Sequence, residues 1–134
     1  MKTDGFVPND IYASLEASLI LCTGPNMSGK STYLGQIALL CIMAHMGSFV
    51  PAQYASFRLT DALFTRMGSD DSLESNASSF MLEMREMTHI FQNLTDLSVV
   101  IMDELARGTA VSDGLAVSIA ICEALVRTKV CFIT

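Results

Sequence analysis

The sequence predicts an α/β fold, a parallel sheet sandwiched by helices, and three observations predict it. Two short runs, Ala17–Cys22 and Leu97–Met102, are apolar without alternation, as in strands buried on both faces of a sheet. Each is followed, after a loop, by apolar residues at helical spacing. Between the first run and its helix sits a glycine-bearing octet whose role requires that strand-loop-helix context. Alternating buried strands and helices joined by right-handed crossovers give the layered architecture.

The elements follow in order. Ala17-Ser18-Leu19-Ile20-Leu21-Cys22 runs into a Gly-Pro turn and reads as the first strand. From Lys30 to about Met46, apolar residues at Leu34, Ile37, Ala38, Leu40, Cys41 and Ala44 predict a helix that stops near Gly47. Val50-Pro51 breaks the pattern, and Ala55–Leu59 and Leu63–Met67 read as short extended pieces. Gly68 to Asn76 is a polar, acidic loop. Phe80, Met84, Met87, Phe91 and Leu94 trace a helical stripe to about Asn93, read as core. Leu97–Met102 is the second buried strand and ends on Asp103-Glu104. Ser112 or Asp113 can cap a helix carrying Leu115, Ile119, Cys122, Leu125 and Val126, and Val130–Ile133 begins another strand.

Composition bounds the function classes. With 134 residues, 51% hydrophobic and 16% charged, the chain has the length of one domain and enough apolar material for a core. The longest apolar run, Ile37 to Ala44, is too short to cross a bilayer, so no membrane association is expected. Met1-Lys2-Thr3-Asp4-Gly5 lacks the apolar stretch of a secretory signal, which points to an intracellular protein. Cys22, Cys41, Cys122 and Cys131 include no CxxC pair and read as small core hydrophobes in a reducing compartment. A net charge of −6 argues against a broad footprint on a nucleic-acid backbone, so contact with DNA would use other surfaces.

Gly24-Pro25-Asn26-Met27-Ser28-Gly29-Lys30-Ser31 fits the P-loop pattern GxxxxGK[ST]. Glycines let successive backbone N–H groups curl around phosphate oxygens, and the helix start adds a positive dipole end. Lys30 would reach the β- and γ-phosphates, and Ser31 would ligate Mg²⁺. Asp103 can hold that metal while Glu104 polarises an attacking water; alone, the two would be a solvated acidic pair at a strand end. Ser78-Ser79 opens a helix as an N-cap or as an anion contact. Arg107-Gly108-Thr109 is an ordinary polar turn or a loop that organises the site. His45 and His89 lack partners at ligand spacing and read as solvated or hydrogen-bonded; Arg127 and Lys129 suit a helix C-terminus.

As a set these motifs resemble a known family. Thr23 to Tyr33, Gly47-Ser48-Phe49-Val50-Pro51-Ala52, Ser78-Ser79-Phe80-Met81-Leu82-Glu83-Met84 and Asp103-Glu104-Leu105-Ala106-Arg107-Gly108-Thr109 look like the ATPase domain of MutS homologues, in the right order and over nearly the whole chain. Phe6-Val7-Pro8-Asn9-Asp10 resembles the segment upstream of the loop in eukaryotic members. The resemblance implies an ABC-type P-loop NTPase fold, cut before its last strands, with the loop at 24–31, a signature segment at 76–84 and the acidic strand end at 97–104.

What the resemblance implies for function is specific. ATP and Mg²⁺ would be held by residues 24 to 32, Thr32 included, with Ser31 and Asp103 on the metal. Glu104 and Lys30 would act in catalysis, and Ser78 would contact the γ-phosphate bound on a partner subunit. Phe6 or its neighbours would lie near the adenine. Ser28, Asp70-Asp71 and Asn76 are most similar to the meiotic paralogue, which implies a nuclear heterodimer of two MutS homologues supporting crossovers, with DNA bound by other domains. Ala106 stands where the family has glycine, and Ala110-Val111 replaces Ser-Thr, which places hydrolysis in question. The family's γ-phosphate-sensing histidine would follow Thr134, with the last strands and the dimerisation helices beyond it. The alternatives are a nucleotide-dependent dimerisation switch with negligible hydrolysis, and a mismatch-repair member of the same family.

Overall fold

The computed structural model describes residues 7–67, 76–106, 109–128 and 131–133, the backbone alone at 76–79 and 131–133. Along the chain run β1 (Leu19–Ile20), α1 (Lys30–His45), β2 (Leu63–Arg66), α2 (Asn76–Asn93), β3 (Val99–Met102), α3 (Val111–Arg127) and β4 (Cys131–Ile133). All strand pairs are parallel, in the order β1-β4-β3-β2. The register sets Ile20 and Ile101 level with each other, both opposite Ile133.

Side-chain alternation along β3 divides the core in two. Val99 and Ile101 point to one face, against Leu34, Ile37 and Ala38 of α1. Val100 and Met102 point to the other, against Met87 and Ile90 of α2 and Ile121 and Leu125 of α3. All four β3 side chains are buried, as a central parallel strand covered on both faces requires. Burying each such residue is worth roughly 1.5–3 kcal/mol, so β3 anchors both layers.

Several expectations need correction. The first strand covers only Leu19–Ile20, because Leu21 turns outward to solvent ahead of the Gly24-Pro25 turn. Residues 55–59 form no strand; the extended piece is Leu63–Arg66, which pairs with all of β3. Leu97 is exposed, and β3 starts at Val99. Neither Ser112 nor Asp113 caps α3: the cap is Ala110, without a side-chain hydrogen bond, and both residues lie inside the first turn. Of the residues expected on α3, Leu125 is buried and Cys122 packs at the edge of the core, whereas Leu115, Ile119 and Val126 are solvent-exposed; Gly114 and Ile121 join Leu125 in facing the core. On α2 Phe91 is exposed, while Met87 and Ile90 are buried together with Glu83.

The architecture is also corrected. Four parallel strands of 2 to 4 residues with three helices form a small α/β unit, and no antiparallel strand or further sheet is seen among the described residues. The fold described is that unit, in place of the expected ABC-type P-loop NTPase domain lacking its last strands. Among the described residues no helix is long and apolar enough to cross a membrane.

Candidate functional site

In an open parallel sheet, ligands bind where loops leave the carboxyl ends of the strands. Two chemistry-bearing loops do so here. One follows β1 and carries residues 24–31; the other follows β3 and begins at Asp103. Only β4 separates β1 from β3. At about 4.8 Å per strand spacing, their ends lie roughly 10 Å apart.

The first loop is shaped by its backbone. Met27 and Gly29 have φ of 63° and 95°, both in the left-handed region, and Ser28 N–H donates to the Pro25 carbonyl at 3.3 Å. Gly29 suits that conformation because it has no Cβ, and α1 starts immediately after it. No side chain caps α1, so the first N–H groups of the helix have no side-chain acceptor and can receive an anion. Lys30 Nζ donates to the carbonyls of Gly24 and Pro25 at 2.7 and 2.9 Å, which holds its positive charge within the loop. A Cβ on Gly24 would sit 3.1 Å from Ser28 Oγ, so the loop is closed tightly on itself at that point. These donors suit a phosphate group.

Just past the loop, Tyr33 OH donates to the Asp10 carbonyl at 2.9 Å and ties the segment before β1 to α1. Burial pushes the Tyr33 hydroxyl pKa up, helped by the nearby Cys22 and Asp10. Burial likewise raises the Cys22 thiol pKa, and the residue packs beside α1 at the edge of the core. Cys22, Cys41 and Cys122 each pack at the edge of a core.

The second loop is held by residues the sequence pattern does not reveal. Asp103 is buried, and its N–H donates to the Arg66 carbonyl at 2.8 Å, extending the β2–β3 pairing by one step. Glu104 and Ala106 both adopt left-handed backbone, with φ of 53° and 59°. Ala106 N–H donates to Glu83 Oε1 at 2.5 Å, and Glu83, on α2, is only 1% exposed. Arg66 at the end of β2 lies 3.7 Å from Glu83 Oε1, donates to Glu86 Oε2 at 2.9 Å and reaches the Glu104 carbonyl at 3.5 Å. The one sequence signal for this arrangement is Glu83 itself, a charged residue three positions after Phe80 and four before Met87 on an apolar face.

The structure brings Gly24 to Ser31 and Asp103-Glu104 to one end of the sheet. Thr32 is exposed on the first turn of α1. Ser78 falls within the range of α2, but its side chain is outside the described set; Phe6, Arg107, Gly108 and Thr134 also lie outside the described residues. His45 has two partners: Nδ1 pairs with the Cys41 carbonyl at 2.7 Å and Nε2 accepts from Thr60 N–H at 2.9 Å, a structural clamp. A cavity of about 180 Å³, lined by residues such as Ile11, Leu15, Ile37 and Phe57, shares no residue with either loop.

A family model described as MutS domain V matches residues 20–134. The chain is 52% identical over 124 residues to the DNA mismatch repair protein MSH4 of Arabidopsis thaliana, covering 92% of this chain and 16% of that protein. It is 50% identical over 123 residues to MutS protein homolog 4 of Mus musculus, covering 92% and 13%. It is 53% identical over 125 residues to the DNA mismatch repair protein MutS of Chlamydia muridarum, covering 92% and 15%. The chain thus spans about one-sixth or less of the length of these relatives, and identity does not separate the eukaryotic from the bacterial ones. The matched description, MutS domain V, replaces the expected ABC-type P-loop NTPase assignment. Matched from residue 20 to its last residue, the chain belongs to the MutS family.

Proposed function

We propose that this segment, within its full-length protein, binds ATP with Mg²⁺ and hydrolyses it, and that nucleotide state drives closure of a clamp on DNA. The observation that carries the reading is the convergence of the residue 24–31 loop and Asp103-Glu104 at one end of a parallel sheet, one strand apart. Backbone N–H groups of Gly24, Asn26, Met27, Ser28 and Gly29 would be drawn on for the phosphates, with Pro25, which has no N–H, contributing shape alone. Lys30 would pair with the terminal phosphates, and Ser31 with Asp103 would hold the metal, Thr32 lying beside them. Among the described residues no group of three or more His, Cys, Asp or Glu side chains could hold a metal, and Mg²⁺ commonly rests on one or two protein ligands plus phosphate and water. Bound there, the ion would supply charge neutralisation at the transferring phosphoryl group. Glu104 would orient the attacking water, and Ser78 would act across a dimer with a second MutS homologue.

The names of the relatives, mismatch repair proteins and MutS homologues, support a DNA-linked role, with DNA held by regions outside this segment. The similarity to MSH4 supports a nuclear, meiotic member; mismatch repair would use the same chemistry. One observation favours a second reading, a nucleotide-dependent dimerisation switch with negligible hydrolysis: Ala106 occupies left-handed backbone where the resembling family has glycine.

Lys30→Ala in the full-length dimer is expected to abolish nucleotide cross-linking at this site, and unchanged cross-linking overturns the proposal. Single-turnover hydrolysis then separates the two readings. If Glu104→Gln slows hydrolysis by roughly 10²-fold or more, the enzyme reading stands. If wild type and Glu104→Gln are equally slow while both bind nucleotide, the switch reading replaces it.

A further inference from the structure

We propose that Glu83 is a positioning residue that holds the loop after β3 in its working shape. Rotating Glu104 and Ala106 into left-handed backbone is unfavourable for residues that carry a Cβ, so the loop needs an external restraint to keep both there. Glu83 provides one. Its carboxylate is buried on α2, accepts the Ala106 N–H at 2.5 Å and lies 3.7 Å from Arg66 Nη1, while the same guanidinium nitrogen reaches the Glu104 carbonyl at 3.5 Å. One carboxylate and one guanidinium therefore grip the loop at its second and fourth residues. Arg66 is itself fixed on both sides, by Glu86 Oε2 on its Nε and by the Asp103 N–H on its carbonyl. Gly114 closes the third side: a Cβ there would lie 2.9 Å from the Ala106 carbonyl oxygen, so α3 presses on the loop with no room for a side chain.

A burial of this kind has no reason to recruit a carboxylate for packing alone, since a Leu or Met would fill the α2 face without a desolvation penalty. An oxygen acceptor is placed where a backbone N–H of a strained turn needs one. The consequence rests on the hydrolytic reading above: the side chain of Glu104 takes its direction from a backbone that Glu83 and Arg66 fix, and a displacement of about 1 Å at such a group is enough to lower a rate by about 10²-fold.

The test uses the full-length dimer and three readouts on Glu83→Ala, Glu83→Gln and Glu104→Gln. Amide hydrogen exchange at Ala106 is expected to be slow in wild type and in Glu83→Gln, which keeps a carbonyl oxygen for the N–H, and to rise at least 10-fold in Glu83→Ala. Single-turnover hydrolysis is expected to fall about 10- to 100-fold in Glu83→Ala and to stay within about 3-fold of wild type in Glu83→Gln, while nucleotide affinity changes less than 3-fold in both. Unchanged exchange at Ala106 in Glu83→Ala overturns the proposal whatever the rates. So does a full hydrolysis rate in Glu83→Ala when Glu104→Gln is inactive, or a parallel loss of affinity and rate, which marks a merely structural role. If Glu104→Gln hydrolyses like wild type, the functional reading has failed, and the exchange result alone decides whether Glu83 holds the loop.

Discussion

At Ala106 three small effects nearly cancel. A left-handed conformation costs a residue with a Cβ about 1–2 kcal/mol, and glycine would remove that cost. Glycine would also lose about 0.5–1 kcal/mol to chain entropy, and deleting a buried methyl forfeits about 0.8 kcal/mol more. Ala106→Gly is therefore expected to shift the opening free energy of β3, read by amide exchange, by less than about 1 kcal/mol; a loss well beyond that shows that the methyl is needed for packing. A second residue gives a pH dependence. Asp61 accepts from the hydroxyls of Thr95 and Ser98, and Thr95 foremost holds its carboxyl below the ordinary value of 3.8. A carboxyl depressed in the folded state contributes stability above its unfolded pKa and loses it as pH falls through the folded one. Asp61→Asn is thus expected to flatten the decline in thermal midpoint below about pH 4, and an unchanged slope between pH 5 and 3 removes Asp61 from that role. That residues 24–31 and Asp103-Glu104 come to one end of the sheet was legible in the sequence, because a strand-loop-helix pattern encodes a backbone path. Glu83 and Arg66 were not, since 17 positions separate them and only the placement of α2 against the β2–β3 end makes them neighbours.

Among the elements, legibility followed how sharply a pattern could distinguish faces. The β3 run and α1 were readable, one as an unbroken apolar strand and the other from the buried positions Leu34, Ile37 and Ala38. Helix α3 misled because apolar residues lie all round it: Leu115 and Ile119 fit a stripe as well as Ile121 and Leu125 do, and only packing on Val100 and Met102 selects the second set. The better guide was Gly114, a residue that weakens a helix interior by about 1 kcal/mol relative to Ala and so marks a close approach. Gly114→Ala gains that propensity but drives a Cβ to 2.9 Å from the Ala106 carbonyl, a backbone atom that cannot swing aside. Overpacking costs about 1–3 kcal/mol, so the net expectation is a destabilisation of up to roughly 2 kcal/mol together with a slower hydrolysis step, because the helix would push on the loop that bears Glu104. Measuring rate and amide exchange on the same variant checks both; a faster or unchanged rate with a more stable domain shows that α3 and the loop are not in firm contact.

The whole molecule carries its apolar excess in two places. Part fills the layers around β3; part lies on the surface, along α3 at Val111, Leu115, Ile119 and Val126, along α1 at Leu39 and Ile42, and at Met46 just past it. Val111 is 90% exposed, Leu115 62% and Ile119 51%, and their spacing of four residues puts them on one side of the helix. Contiguous apolar surface of this kind is covered in a stable assembly or drives association. A net charge of −6 over 134 residues opposes association only weakly at physiological salt, where repulsion between exposed charges is screened beyond about 8 Å. The isolated chain is therefore expected to self-associate, with light scattering that grows with concentration and persists in 0.5 M salt, and to turn over no ATP. Leu115→Lys with Ile119→Lys is expected to suppress the association while leaving far-ultraviolet circular dichroism unchanged, because exposed substitutions shift stability by no more than about 0.5 kcal/mol each. The double variant aggregating like wild type would move the adhesive surface to α1, where Leu39→Lys tests it next. A wild-type chain that stays monomeric at high concentration would overturn the expectation that this apolar surface drives association.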